Sequence, residues 1–145
     1  MNTGTLSHEA IRTRIPHQGL MCLLDQALNW DETHIICSAV SHRDRNNPLR
    51  HGHSLPAVCG IEYAAQAMAL HASLTETSSK HGLLAGVRDL VLLAERLDDI
   101  PGELTIRAGK IAAGGEIALY QFSISAGERE LLRGRLAAAF TLERS

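Results

Sequence analysis

Cysteines, aromatic residues and blocks of like charge are all scarce in this chain of 145 residues. The three cysteines lie in apolar surroundings without a Cys-x-x-Cys spacing, so we expect buried thiols in a reducing compartment and no zinc site. The 14 basic and 16 acidic residues give a formal charge of -2 and form no basic block. The sequence therefore gives no sign of nucleic-acid or membrane-surface binding, and we expect no metal and no organic cofactor.

Targeting segments are also missing, because no basic start followed by an apolar core opens the chain. One apolar run, residues 55–74, is long enough to cross a bilayer, but Glu62, Gln66 and His71 lie inside it and no aromatic belt flanks it. We therefore expect a cytoplasmic protein. Its length predicts a single domain over residues 1–145.

The apolar run 55–74 is predicted to form one long helix at the centre of the molecule. With 100° per residue, Glu62, Gln66 and Ser73 fall within about 40° of one another, and His71 points to the opposite side. A helix that is apolar nearly all round is expected to be buried. We therefore assign His71 to packing.

Glu62 allows two interpretations. It can form an i, i+4 polar pair with Gln66 at the water-facing edge of a mostly buried helix. Alternatively, it can act as a general acid in an apolar cleft, where desolvation raises the pKa of a carboxyl group. The spacing alone leaves both open.

Alternating apolar and polar residues predict strands on both sides of this helix. Two strands precede it, at 24–30 and 34–40, and about four follow it, at 83–93, from 104 onwards, at 118–124 and at 132–142. Ser7 is predicted to cap a short first helix through Ile11, and Ser54 to cap the long helix with Pro56 in its first turn. The layout predicts an α+β fold in which an antiparallel sheet curves around one central helix. Its open edges favour pairing with a second copy or a relative.

Two motifs resemble the 3-hydroxyacyl-acyl-carrier-protein dehydratases, which have the hotdog fold. Ile15-Pro16-His17-x-x-x-Met21-x-Leu23-Leu24-Asp25 is similar to their amino-terminal Ile-Pro-His-x-x-x-Phe-Leu-Leu-x-Asp signature, and Gly60-Ile61-Glu62-Tyr63-Ala64-Ala65-Gln66 is similar to the Glu-Ala-x-Ala-Gln stretch of their central helix. The longer segment Leu-Pro-Ala-x-x-Gly-Ile-Glu-Tyr-x-Ala-Gln-Ala resembles dehydratase-like hotdog proteins associated with aryl polyene biosynthesis. The resemblance covers most of the chain.

This resemblance implies the elimination of water from a 3-hydroxyacyl thioester carried by an acyl carrier protein. A histidine removes the C2 proton and Glu62 protonates the departing hydroxyl group. The candidate bases are His17 and His53, with His51 as a further candidate. The family's Gly-His-Phe-Pro-Gly segment corresponds to Gly52-His53-Ser54-Leu55-Pro56, but here His53 lies only nine positions before Glu62, a shorter spacing than in the family.

The candidate substrate-binding residues are Pro56, Gly60, Ile61 and Gln66. Backbone N–H groups near Gly60, at the positive end of the helix, could hold the thioester oxygen. Gln66 can instead be a structural hydrogen-bonding residue that orients Glu62. Arg43, Arg45 and Arg50 form either a solvated loop or a contact for an acidic carrier protein or its phosphopantetheine phosphate.

Three classes of function remain open. The first is a dehydratase, and the second is an acyl-thioester hydrolase of the same fold, in which the acidic residue activates water. The third is a non-catalytic subunit that completes the site of an active hotdog partner. We expect either a homodimer or a heterodimer with a related hotdog subunit.

Overall fold

Six antiparallel strands form one sheet around a long helix, in the order β1-β2-β4-β5-β6-β3. The computed structural model describes residues 5–15, 19–75 and 80–142. The strands are β1 (Gln26–Trp30), β2 (His34–Ala39), β3 (Lys80–Leu92), β4 (Leu104–Gly114), β5 (Ile117–Ala126) and β6 (Arg129–Leu142), and the helices are α1 (His8–Arg12) and α2 (Gly60–Thr75). This is the predicted α+β hotdog architecture, which is confirmed.

The sheet follows the predicted alternation of side chains. Ala118, Tyr120, Phe122 and Ile124 of β5 are buried on the face that packs against the core. Gly134 of β6 lies opposite Phe122, and a Cβ atom there would come within 3.1 Å of the Phe122 ring. A side chain at position 134 would therefore displace that ring, which explains a glycine inside a strand.

Helix α2 is buried along most of its length, but it begins later than predicted. We expected a helix over residues 55–74 capped by Ser54, whereas a 3-10 turn at Ala57–Cys59 precedes α2 and Ser54 forms a bridge with His51. Pro56 explains why Leu55 is not helical, because a proline disfavours the helical conformation of the residue before it. The backbone of Leu55 instead accepts a hydrogen bond from the Leu97 N–H.

The first helix agrees with its prediction, since the Ser7 side chain accepts a hydrogen bond from the Ala10 N–H at the start of α1. Two of the three cysteines, Cys22 and Cys37, are buried as expected, and burial raises the pKa of the Cys37 thiol to about 12. The prediction was wrong for Cys59, which is only partly buried because it lies in the turn ahead of α2.

The two edges of the sheet are β1 and β3. Strand β3 pairs with β6 on one side only, and three apolar side chains on or beside it are exposed: Leu84 at 38%, Leu92 at 47% and Leu93 at 47%. An edge strand of 13 residues offers unpaired backbone groups to another chain. Within the described part of the chain, no helix combines the length and apolarity needed to cross a membrane.

Candidate active site at the start of helix α2

The first turn of α2 is pressed against the inner face of the sheet at Gly60. A Cβ atom at this position would lie 2.8 Å from both terminal methyl groups of Leu132 and 3.1 Å from the Ile124 Cδ1 atom. Only a glycine lets the helix start approach β5 and β6 this closely. The Gly60 N–H donates to the carbonyls of Ala57 and Val58. An N–H donor for a thioester oxygen would therefore have to come from another residue.

Glu62 lies in this first turn, at the border between the core and solvent. Its neighbours are Ile61, which packs partly buried against the core, and Tyr63, which is completely buried, whereas Glu62 itself is partly exposed. No hydrogen bond or ion pair holds its carboxylate among the residues that the structure describes. Burial raises the pKa of the nearby Cys59 thiol, and the negative charge of Glu62 adds to that effect.

Tyr63 begins a chain of buried hydrogen bonds that fixes the loop ahead of α2. The Ser41 hydroxyl donates to the Leu23 carbonyl at 2.7 Å, so it accepts the Tyr63 hydroxyl hydrogen at 2.9 Å. The Tyr63 oxygen in turn accepts a hydrogen bond from Asn47 Nδ2 at 3.0 Å. Burial raises the pKa of the Tyr63 hydroxyl, which keeps it a neutral donor.

Gln66 is completely buried one turn after Glu62 and binds the backbone of another segment. Its Oε1 atom accepts the Leu23 N–H at 2.8 Å, and its Nε2 atom donates to the Met21 carbonyl at 2.6 Å. Both ends of the amide are thus used by the protein itself. Gln66 is therefore a structural hydrogen-bonding residue, but among the described residues its amide neither orients Glu62 nor forms the i, i+4 pair with it.

The predicted bases are not joined to Glu62 by any described contact. His17 lies outside the described residues, together with Pro16 and Gln18. His53 and His51 are exposed on the loop ahead of α2, and no hydrogen bond among residues 5–15, 19–75 and 80–142 links either imidazole to the Glu62 carboxylate. The site assembled from the described residues therefore contains the candidate acid, Glu62, without a hydrogen bond to a candidate base.

The loop that carries His53 is bound to the loop after β3. The Asp98 carboxylate accepts the Leu55 N–H at 2.8 Å and pairs with the Arg96 guanidinium, whose Nη2 atom also reaches the His53 carbonyl at 3.5 Å. This guanidinium keeps the pKa of Asp98 well below its usual range. Pro56, a predicted substrate-binding residue, is bridged to Arg96 through its backbone and is partly buried.

Sequence reasoning missed Tyr63, Ser41, Asn47, Arg96 and Asp98. Only one signal was available, since Tyr63 follows Glu62 directly in the central motif. The partners of Tyr63 and of Asp98 are far away in the sequence or lie in loops without a periodic pattern. A pairing of this kind depends on the tertiary fold.

Two further histidines are completely buried. His71 donates from Nε2 to the Asp31 carbonyl at 2.8 Å, so its Nδ1 atom accepts from the Tyr120 hydroxyl at 2.7 Å. His42 was not predicted to have a role, and its Nε2 atom lies 3.1 Å from the Ile100 carbonyl oxygen. Burial lowers the pKa of both imidazoles, which favours their neutral forms.

Comparison with known proteins identifies the family of the chain. A family model described as ApeP-like, the ApeP dehydratase, matches residues 9–141. No curated protein sequence matches the chain.

Solved structures share the fold. The dehydratase heterocomplex ApeI:P from Xenorhabdus doucetiae is 22% identical, with a TM-score of 0.80 over 95% of this chain and 93% of that chain. A thioesterase from Haemophilus influenzae is 18% identical, with a TM-score of 0.69 over 97% and 94% of the two chains. A hypothetical thioesterase from Streptococcus pneumoniae, solved with coenzyme A, is 16% identical, with a TM-score of 0.59 over 81% and 85%. At these identities the likeness establishes the hotdog fold, whereas the family model covers nearly the whole chain and establishes the lineage: the chain belongs to the ApeP-like dehydratase family.

Proposed function

We propose that this protein eliminates water from a 3-hydroxyacyl thioester, with Glu62 as the general acid. The observation that carries the proposal is the Glu62 carboxylate, which lies partly buried in the first turn of α2 and has no partner among the described residues. A carboxyl group that is not used by the fold remains available to donate a proton to a departing hydroxyl group. Membership of a dehydratase family supports the same chemistry.

The base is proposed to be a histidine, His17 or His53. The segment after His17 supports the first candidate, because Met21 and Leu23 are held by Gln66, one turn away from Glu62 on the same helix. His53 is supported by its loop, which leads into the turn ahead of α2. A histidine of a second subunit at the open edge of β3 would serve equally well.

A partner subunit is part of the proposal. Strand β3 offers an open edge with exposed leucines, and Val58 beside the start of α2 is 44% exposed. The similar structure from X. doucetiae is a heterocomplex. We therefore propose pairing through this edge with a related hotdog subunit, or with a second copy of the chain. The thioester is proposed to be carried by an acyl carrier protein in the cytoplasm, in fatty acid or aryl polyene synthesis.

An acyl-thioester hydrolase is the second candidate function. The specific support is that two solved structures with the same fold are named as thioesterases. On this helix the Glu62 carboxylate would activate water as a base, where the dehydratase needs it as an acid. The two functions thus require the same residue in opposite protonation states.

The decisive experiment incubates the full-length protein with a 3-hydroxyacyl carrier protein and, separately, with a saturated acyl thioester. Enoyl product identifies the hydro-lyase, and free thiol identifies the hydrolase. Activity that is present only after a related hotdog subunit is added identifies a subunit of a shared site.

Glu62→Gln is expected to abolish enoyl formation without loss of the folded state, because the amide cannot donate the required proton. Glu116→Gln, which removes an exposed carboxylate in the turn between β4 and β5, is the matched control and is expected to retain activity. Unchanged turnover in the Glu62 variant would remove this residue from the mechanism.

A further inference from the structure

The face of the sheet that points away from α2 carries a row of arginines. Residues paired directly across antiparallel strands lie on the same face of a sheet. Arg107 of β4 pairs with Ser123 of β5, and Ser123 pairs with Arg133 of β6. Because these positions alternate with core residues such as Phe122, they face away from the helix. We call Arg107, Ser123 and Arg133 the arginine row.

A second row lies beside it. Gln121 pairs with Arg135, which pairs with Arg88 of the edge strand. The face therefore holds four of the chain's 14 basic residues, whereas the whole chain has a formal charge of -2. Glu130 and Asp89 pair with Arg133 and Arg135 and offset two of these four charges. The outer face still keeps an excess of positive charge on a protein that is negative overall, which favours an anionic ligand.

The arginine row has unused hydrogen-bond donors. Arg107 is exposed and has no hydrogen bond or ion pair with any described residue. Arg133 donates from Nη1 to Glu130 at 2.5 Å, and its Nε and Nη2 atoms have no described partner. The Cα atoms of Arg107 and Arg133 are two strands apart, about 10 Å, so both guanidinium groups can approach one anion above Ser123.

A groove follows this row along the sheet surface. It has a volume of about 550 Å³ and is lined by Arg107, Ser123 and Arg133, by Glu130, which pairs with Arg133, and by the apolar residues Ile36 and Ile111. A second hollow of about 270 Å³ shares Arg133 with it and continues towards β3. Sites for small organic ligands are about 300–1,000 Å³ in volume, so the groove accommodates more than an inorganic ion.

We propose that this groove binds the phosphate group of an organic phosphate ester. Two guanidinium forks and a hydroxyl group match the oxygens of a tetrahedral phosphate group, whereas a carboxylate is already satisfied by one fork. The apolar side chains of Ile36 and Ile111 receive the organic part of the ligand. The sheet separates this groove from α2, so the bound phosphate is distinct from a thioester at Glu62.

The test is a titration of the full-length protein with inorganic phosphate and with ADP. Binding is monitored by calorimetry and by the NMR signals of the backbone amides in the arginine row. Flotation with vesicles of phosphatidylcholine, with and without phosphatidylglycerol, distinguishes a soluble phosphate ester from a lipid headgroup. Arg107→Gln is expected to weaken binding about tenfold or more, the effect of losing a charge-assisted hydrogen bond. The affinity of Arg107→Lys is expected to lie between those of the wild type and Arg107→Gln, because lysine keeps the charge and lacks the guanidinium fork.

Arg14→Gln is the matched control, because it removes the same charge from an exposed turn that does not line the groove. Binding of ADP or phosphate that depends on Arg107 supports a soluble ester, and binding of phosphatidylglycerol vesicles alone, with the same dependence, supports a headgroup. Absence of binding by all three probes would overturn the proposal. Equal weakening in the Arg14 and Arg107 variants would overturn it as well, since it would show attraction by net charge alone.

Discussion

Replacement of Gln66 by leucine measures how strongly α2 holds the segment that follows His17. Gln66 is completely buried, and its amide forms two hydrogen bonds, with the Leu23 N–H at 2.8 Å and the Met21 carbonyl at 2.6 Å. Leucine has a similar size and keeps the contact with the core. The change therefore removes the hydrogen bonds and leaves the packing nearly unchanged.

The expected loss follows from the burial of the two partners. Leu23 is 1% exposed, so its N–H would remain buried without an acceptor, which costs about 1–3 kcal/mol. Met21 is partly exposed, and water can replace part of its lost bond. We expect the free energy of unfolding to fall by about 2–4 kcal/mol, which lowers the melting temperature by roughly 5–15 °C for a chain of this size.

Urea unfolding at a fixed protein concentration, followed by the fluorescence of Trp30, measures this loss. Trp30 is the single tryptophan and is 7% exposed, so it reports the unfolding of the core. Gln26→Leu is the matched control, because Gln26 is exposed on β1 and its replacement should change stability by no more than about 0.5 kcal/mol. Equal effects of the two variants would refute the structural role of the Gln66 amide.

Gln66→Glu adds a test by pH. At pH 7 an ionised carboxylate would face the Met21 carbonyl, and burial would raise its pKa. Once protonated, the carboxyl group can donate to that carbonyl and accept the Leu23 N–H, as the glutamine does. The loss in the free energy of unfolding of Gln66→Glu relative to wild type should therefore become smaller as the pH is lowered from 7 to 5, whereas the loss of Gln66→Leu stays constant. Parallel deficits in the two variants would contradict the hydrogen-bond assignment.

Three further predictions concern other buried contacts. Burial lowers the pKa of His71 below its ordinary 6.5, so native stability should fall as the pH drops from 6.5 towards the folded-state pKa. The urea midpoint of the His71→Gln variant should therefore depend less on pH than that of the wild type. Gly60→Ala should destabilise the fold by about 1 kcal/mol, although alanine has the better helix propensity, because its Cβ atom would meet Leu132. A double-mutant cycle with Leu132→Ala should show favourable coupling, and additive losses of stability in the two variants would contradict the close approach. Asp98→Ala should cost about 1–3 kcal/mol in urea unfolding at pH 7, because the buried Leu55 N–H loses its acceptor, and a cost below 0.5 kcal/mol would contradict this.

Periodic patterns predicted the sheet and the burial of α2, but not the bonds that define the site. The predicted alternation in β5 is present in the fold because burial of each inward side chain, such as Phe122, stabilises the protein whichever residue it packs against. The start of α2 was predicted five residues too early, at residue 55 instead of Gly60, because the 3-10 turn ahead of α2 depends on pairing with the loop after β3. The bonds of Gln66 span 43 and 45 residues and carry no local signal.

The segments next to the two candidate bases are held by different side chains, and this difference can identify the base. The segment after His17 is held by Gln66, whereas the loop with His53 is held by Asp98 through Leu55 and Arg96. If His17 is the base, loosening its segment by Gln66→Leu should lower kcat, and Asp98→Ala should leave it nearly unchanged. The opposite order identifies His53. Assays below the melting transition of each variant separate this effect from unfolding, and an equal kcat in both variants would contradict either assignment and favour a base from the partner subunit.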